Sequence, residues 1–264
     1  MATYRARSAL GAEAVTPETQ AAAARDDFVT YDEPNGPDLD ATRWSPARLP
    51  LPTGGEHVPL DPNAELAVGE GEVRVTIPRF SLSHDAFQAA DSAKHLIFST
   101  RQFQLPPDRP AAFAVDLAVK NIGGDPGDYR RGMAAFQVFD LPVSKRAFSV
   151  VGTATRVFAM DEQLGSWGAR EPFIHVVESP YEDFGDDLTR LRTCEVTLDR
   201  GRSTAAWRVD GRTVYEAGTF IPERVRIGFG VWTMLPVRDG RSRSLEGQGL
   251  QARWRRFRVR GVDA

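Results

Sequence analysis

The chain has 264 residues, of which 41% are hydrophobic and 26% charged, and a formal net charge of −3. A chain of this length buries a sizeable core without staples, and its one cysteine, Cys194, excludes a disulfide within the chain. The slight acidic excess argues against nucleic acid and membrane surfaces as partners, and no apolar run is long enough for a transmembrane helix.

Residues 1–25 read as a flexible N-terminal tail, and 26–264 as one domain. The start, Met1-Ala2-Thr3-Tyr4-Arg5-Ala6-Arg7, lacks the apolar stretch of a secretory signal, so a cytoplasmic location is the expectation. A Pro/Gly/Asp-rich stretch from Asp32 to Pro62 carries Leu39-Asp40-Ala41-Thr42-Arg43-Trp44, read as a loop that docks Trp44 on the core. Short strands follow at Glu65–Val68 and Glu72–Ile77, around a three-residue loop Gly69-Glu70-Gly71. Further strands are expected at Lys94–Ser99, Ala112–Val119, Met133–Phe139, Ala147–Val151, Arg156–Gln163 and Phe173–Val177. The last set is Cys194–Leu198, Thr204–Val209, Thr213–Glu216, Val225–Thr233 and Gln251–Arg260. Pro and Gly clusters punctuate the gaps, as in Gly123-Gly124-Asp125-Pro126-Gly127. Many short strands with regular turn signals specify an all-β, two-sheet antiparallel sandwich. Cys194, in phase with Val196 and Leu198, reads as a small buried hydrophobe.

The strongest local signal is Trp207-Arg208-Val209-Asp210-Gly211-Arg212-Thr213-Val214. Asp-Gly suits a two-residue hairpin turn in which both central residues take positive φ. This segment resembles the W-x-V-D-G-x-x-V hairpin of the concanavalin A-like lectin/glucanase jelly rolls. In order along the chain, Asp27-Phe28, Leu39-Asp40-x-x-Arg43-Trp44, the hairpin, and Gly247-Gln248-Gly249-Leu250 before Trp254 and Phe257 are similar to the start, late hairpin and closing strand of that superfamily. The resemblance implies a jelly roll. More narrowly, the chain looks like an uncharacterised bacterial and fungal subgroup lacking the glycosidase carboxylate motif.

Strand alternation separates a core face from an open face. In Val225–Thr233, Val225, Ile227, Phe229 and Val231 form the core set, leaving Arg226, Gly228, Gly230 and Trp232 on the open face. The glycines would leave floor space beside an aromatic platform, or simply relieve sheet curvature. In Met133–Phe139, Ala134, Phe136 and Val138 face inward, and Met133, Ala135, Gln137 and Phe139 outward. In Phe173–Val177, Ile174 and Val176 are read as inward, and Phe173, His175 and Val177 as outward. An open face with Met133, Phe139, Phe173, Val177 and Trp232 is too apolar to stand bare, so a loop or a ligand is expected over it.

The segment Ala159-Met160-Asp161-Glu162-Gln163 carries the chemistry. Only one of Asp161 and Glu162 can face the groove, and the equally apolar sets Val157/Ala159 and Phe158/Met160 leave the choice open. A carboxylate on an apolar floor has a raised pKa and suits acid–base work near neutrality; one at a solvated strand end or beside an arginine does not. The superfamily's hydrolases place E-x-D-x-x-E or E-x-D-x-E along one strand, and the adjacent Asp161-Glu162 departs from that pattern. Asp116 is the only other carboxylate singled out as a second acid. His57, His84, His95 and His175 are scattered without metal spacing, so no metal and no cofactor are implied. Glu182, Asp183, Asp186 and Asp187 read as a solvated acidic loop, with calcium as the sharper alternative. Arg253, Arg255, Arg256, Arg258 and Arg260 read as a charged outer strand.

Together these features set an expectation of a cytoplasmic enzyme, with a homodimer as one option, and a small hydrophobic metabolite in its concave groove. Glu162 or Asp161, with His175, would supply acid–base chemistry such as cyclisation, dehydration or isomerisation. Trp232, Arg226, Gln137, Met133, Phe139 and Phe173 would bind the substrate. The alternative, implied by the superfamily resemblance, is a carbohydrate-binding protein or a glycoside hydrolase.

Overall fold

A computed structural model describes residues 27–51, 53–165, 168–179 and 188–262. The expected tail and the acidic group Glu182, Asp183, Asp186 and Asp187 lie outside the described residues. The strands, in chain order, are β1 (Val29–Asp32), β2 (Trp44–Pro46), β3 (Leu49–Pro50), β4 (Glu56–His57), β5 (Glu65–Gly69) and β6 (Glu72–Ile77). Then follow a five-residue helix α1 (Gln88–Ser92), β7 (Ala93–Ser99), β8 (Phe103–Gln104), β9 (Ala111–Ile122), β10 (Met133–Asp140), β11 (Arg146–Gly152) and β12 (Val157–Gln163). The last are β13 (Phe173–Glu178), β14 (Arg192–Asp199), β15 (Thr204–Val209), β16 (Arg212–Gly218), β17 (Arg224–Trp232) and β18 (Gly249–Arg260).

Two antiparallel sheets stack face to face. Sheet I runs β16-β15-β14-β9-β18-β6-β5, with β1 beside β18; sheet II runs β13-β12-β11-β10-β17-β7-β2, with β8 beside β17. The core between them follows from alternation. Val73, Val75 and Ile77 of β6 and Phe113, Val115, Leu117 and Val119 of β9 meet Phe136, Val138, Ile227 and Phe229 of sheet II. Trp44 docks as expected: it is buried among Phe229 and Phe257, and its indole N–H donates to Asp32 at 2.6 Å. Cys194 is buried in the same core, where burial raises its thiol pKa well above the usual value.

Both tight hairpins use the same turn chemistry. Asp210 (φ 49) and Gly211 (φ 79) take left-handed conformations, and so do Glu70 (φ 54) and Gly71 (φ 77). The β5–β6 loop is therefore two residues long rather than three, because Gly69 stays in the ladder opposite Glu72. Asp210 also accepts from the Thr193 backbone N–H at 2.8 Å and from Arg192 at 2.7 Å, tying the turn to β14.

Strand β18 lies between β9 and β6, not at an edge. A bulge between Arg255 and Arg258, with Arg256 at φ 51, resets its parity so that Trp254 and Phe257 both face the core. Its arginines project from the outer face of sheet I onto carboxylates. Arg253 bonds Glu72, and Arg256 and Arg258 bond Asp116, which also accepts from Thr193.

Candidate functional site

The open face of sheet II is best described by its cross-strand rows, since residues opposite each other in a ladder share a face. One row reads Ile174 (β13), Glu162 (β12), Ala147 (β11), Phe139 (β10), Arg226 (β17). The next reads Val176, Met160, Ser149, Gln137, Gly228, Phe98. A third reads Glu178, Phe158, Val151, Ala135, Gly230, Leu96. Met133 and Trp232 face each other beyond it.

A hollow of about 460 Å³ stands on this face. Its floor includes Met133, Gln137, Ala147, Val151, Met160 and Glu162, and its walls come from elsewhere: Leu49, the α1 segment, Leu164, Pro172 and Met234. The side-chain amide of Gln88 on α1 fixes one wall. It donates to the Leu235 carbonyl at 2.8 Å and accepts from the Val237 N–H at 2.7 Å, clamping α1 to the chain that leaves β17. Among the described residues lining this hollow, Glu162 is the one ionisable side chain.

Glu162 is 7% exposed. Burial and the neighbouring charge of Asp161 push its pKa up to about 7, against a smaller downward pull from Arg146. The carboxyl thus holds or releases a proton near neutrality. The choice left open between Asp161 and Glu162 is resolved by register, since Glu162 shares the side of Phe158 and Met160. Asp161 is on the opposite side with Val157 and Ala159, buried in an ion pair with Arg146, which also donates to Thr219 at 2.6 Å. Burial raises the Asp161 pKa while Arg146, His175 and Thr219 oppose the shift.

His175 sits directly across from Asp161 and therefore also faces away from the hollow. The β13 alternation is the reverse of the expected one. Ile174 and Val176 take the open side, and the Phe173 ring lies 4.7 Å from the Arg146 guanidinium, reaching the hollow only at its rim. Asp116 cannot be a second acid for Glu162, because it lies on the outer face of the other sheet under Arg256 and Arg258. Trp232, Gln137 and Met133 do line the hollow with Glu162.

Arg226 and Phe139 line a second hollow of about 320 Å³, with Arg48, Gln102, Asp140 and Arg224. The two hollows adjoin, sharing Phe98 and Leu141. The glycines of β17 do not leave a bare floor. A Cβ on Gly228 would come within 3.0 Å of Phe98 and Phe139, and one on Gly230 would collide with the His95 carbonyl and come within 2.7 Å of the Leu96 side chain. These positions are glycine so that neighbouring side chains can cross the strand, with Phe98 and Phe139 packed at 4.3 Å between ring centroids. Among the described residues no group of three or more His, Cys, Asp or Glu is placed to hold a metal ion.

The two antiparallel sheets, with a trough on the open face of one, define a jelly roll of concanavalin A-like fold. The chain itself belongs to the family described as Family of unknown function (DUF6081), whose model matches residues 25–263. No curated protein sequence matches it significantly. Among solved structures it is similar to the Bacillus licheniformis beta-glucanase, with a TM-score of 0.52, 16% identity, and 88% of this chain and 97% of that one covered. It is similar to the endo-1,3-beta-glucanase from Streptomyces sioyaensis, with a TM-score of 0.54, 14% identity and coverage of 88% and 94%. It is also similar to the laminarinase catalytic domain from Thermotoga maritima, with a TM-score of 0.56, 10% identity and coverage of 88% and 98%.

These likenesses overturn the expectation of an enzyme that cyclises, dehydrates or isomerises a small hydrophobic metabolite: the Bacillus, Streptomyces and Thermotoga structures that share the fold are glucanases and a laminarinase. The geometry also leaves Glu162 without the His175 partner expected for it, since Asp161 and His175 face away from the hollow. Sequence reasoning also missed the walls, because Leu49, α1, Leu164 and Met234 carry no local signal of their shared position.

Proposed function

We propose that this protein binds carbohydrate along the open face of sheet II. The placement of polar groups supports the reading. Glu162 on β12, Gln137 on β10 and Arg226 on β17 point to the same side in two neighbouring rows, crossing the strands of an otherwise apolar face. A sugar offers hydroxyls for a carboxyl, an amide and a guanidinium, and apolar C–H faces for the rings of Trp232 and Phe139. Solved structures of the same fold include beta-glucanases, which favours sugar over other ligands of such a face.

Hydrolysis is a second reading, favoured by the Glu162 pKa near 7, which suits a general acid. Its proton would pass to the glycosidic oxygen as the bond from that oxygen to the anomeric carbon breaks, and water would add to that carbon and release a proton to solvent. Retaining chemistry needs a second carboxyl about 5 Å away, and Glu162 is the sole carboxylate among the described lining residues. Binding is therefore the primary reading. Calorimetric titration with β-1,3- and β-1,4-glucan oligosaccharides tests it, with reducing-end release followed in the same samples. We expect saturable binding, weakened about tenfold by Gln137→Ala through loss of one hydrogen bond. Failure of the wild-type protein to bind any member of the series would exclude the proposal.

A further inference from the structure

The main hollow is poorly suited to a sugar ring alone. Its lining includes Leu49, Leu96, Met133, Met160, Trp232 and Met234, while the amide of Gln88 is already engaged and Ser92 is bonded to the Gln88 carbonyl at 2.6 Å. Among the described residues, the polar side chains that line it from the open face without a bonded partner are Glu162 and Gln137. From Glu162 the row continues over Ala147 and Phe139 to Arg226, three strand spacings away, or about 14 Å. That row leads into the second hollow, whose wall carries the guanidinium groups of Arg48, Arg224 and Arg226 against one carboxylate, Asp140. Arg224 is hydrogen-bonded to Gln104, and Arg48 to Glu56 in an exposed pair. The trough is thus divided along its length, with an enclosed apolar end, a protonatable carboxyl at the boundary, and a basic, polar end.

Resting on the carbohydrate reading, we propose that the ligand is an amphipathic glycoside, with its apolar aglycone in the 460 Å³ hollow and its sugar along the row from Glu162 to Arg226. The Glu162 carboxyl then lies at the junction of the two parts, where the glycosidic oxygen falls. Aglycone burial supplies affinity that is not directional. The carboxyl, amide and guanidinium groups set the register of the sugar.

A homologous series tests this directly: methyl, butyl, hexyl and octyl β-glucosides, each below its micelle concentration, titrated beside unsubstituted β-glucan oligosaccharides and octanol. The expected result is affinity rising about fourfold per added methylene until the hollow is full. Octyl glucoside should bind more tightly than either octanol or the oligosaccharides. Met160→Gln, on the floor of the hollow, should flatten the rise, with a thermal melt confirming that the variant folds. Oligosaccharide binding with no dependence on alkyl length overturns the aglycone proposal and leaves carbohydrate binding standing. Binding of octanol as tight as that of octyl glucoside, with no oligosaccharide binding, overturns both.

Discussion

Carboxylates are buried on the solvent side of both sheets, but under opposite electrostatic conditions. On sheet I, Glu72, Asp116 and Glu195 are each met by guanidinium groups: Arg253 and Arg74, Arg256 and Arg258, and Arg208 and Arg260. Burial pushes the Glu72 carboxyl upward, and the hydrogen bonds and charges of Arg253 and Arg74 outweigh it, holding it below the usual range. On sheet II, Glu162 is as little exposed and has no ion pair among the described residues, and its pKa rises to about 7. The difference separates a charge neutralised within the surface from one without a paired countercharge in an apolar hollow. A jelly roll carries both because the outer face of sheet I is laced by β18, whereas the open face of sheet II is walled by apolar side chains.

The largest effect is expected where the two conditions meet. Arg146 and Asp161 are both 2% exposed and lie directly behind Glu162. Arg146→Met leaves the Asp161 charge buried and unpaired, and urea denaturation at pH 7.5 should show a loss of about 3–5 kcal/mol. The double variant Arg146→Met/Asp161→Leu should recover most of that loss, since removing both charges also removes the desolvation cost. A single variant with unchanged stability would show that this pair does not separate the interior from the hollow.

The Glu162→Gln substitution tests the unpaired state and should change stability in the other direction. Its pKa is raised from 4.5 to about 7, so the folded chain binds the proton more tightly than the unfolded chain. Stability therefore falls as pH rises through that window, and the cost is complete above it. Replacing the carboxyl with an amide should stabilise the protein at pH 8 by about 3 kcal/mol, and the gain should vanish below the unfolded pKa. Thermal melts at pH 4 and pH 8 measure this, and a gain equal at both pH values would contradict a buried titrating carboxyl.

The same contrast accounts for what could be read in the sequence. The β17 faces were legible because Val225, Ile227, Phe229 and Val231 alternate with Arg226 and two glycines. The β12 faces were not, because Phe158 and Met160 are buried on the open side as thoroughly as Val157 and Ala159 are in the core. A strand covered on both faces loses its alternation. On β13 the apolar Ile174 and Val176 suggested the core side, but this edge strand is only partly covered and its pattern carries little burial signal. The Asp-Gly hairpin was legible because positive φ at two successive positions restricts residue choice. The hollow itself was not, since Leu49, the α1 segment and Met234 converge only through the tertiary structure.

The smallest effect is expected on the paired side. Asp116 accepts from Thr193 at 2.9 Å and from Arg258 at 2.8 Å, and Arg256 completes its shell. In Asp116→Asn the amide oxygen still accepts one of these bonds, while the amide nitrogen faces a guanidinium that it cannot satisfy. Neither arginine is left buried, because the side chains of Arg256 and Arg258 are 54% and 20% exposed and can turn to water. The cost should therefore be about 1.5 kcal/mol, the worth of a lost charge-assisted hydrogen bond rather than of a stranded buried charge. It should shrink in 1 M salt, where exposed charges are screened within about 3 Å. The same exchange of carboxylate for amide thus destabilises at Asp116 and stabilises at Glu162 above neutral pH. Equal signs in paired urea titrations at pH 8 would remove the distinction between a carboxylate that belongs to the surface lattice and one set aside in a hollow.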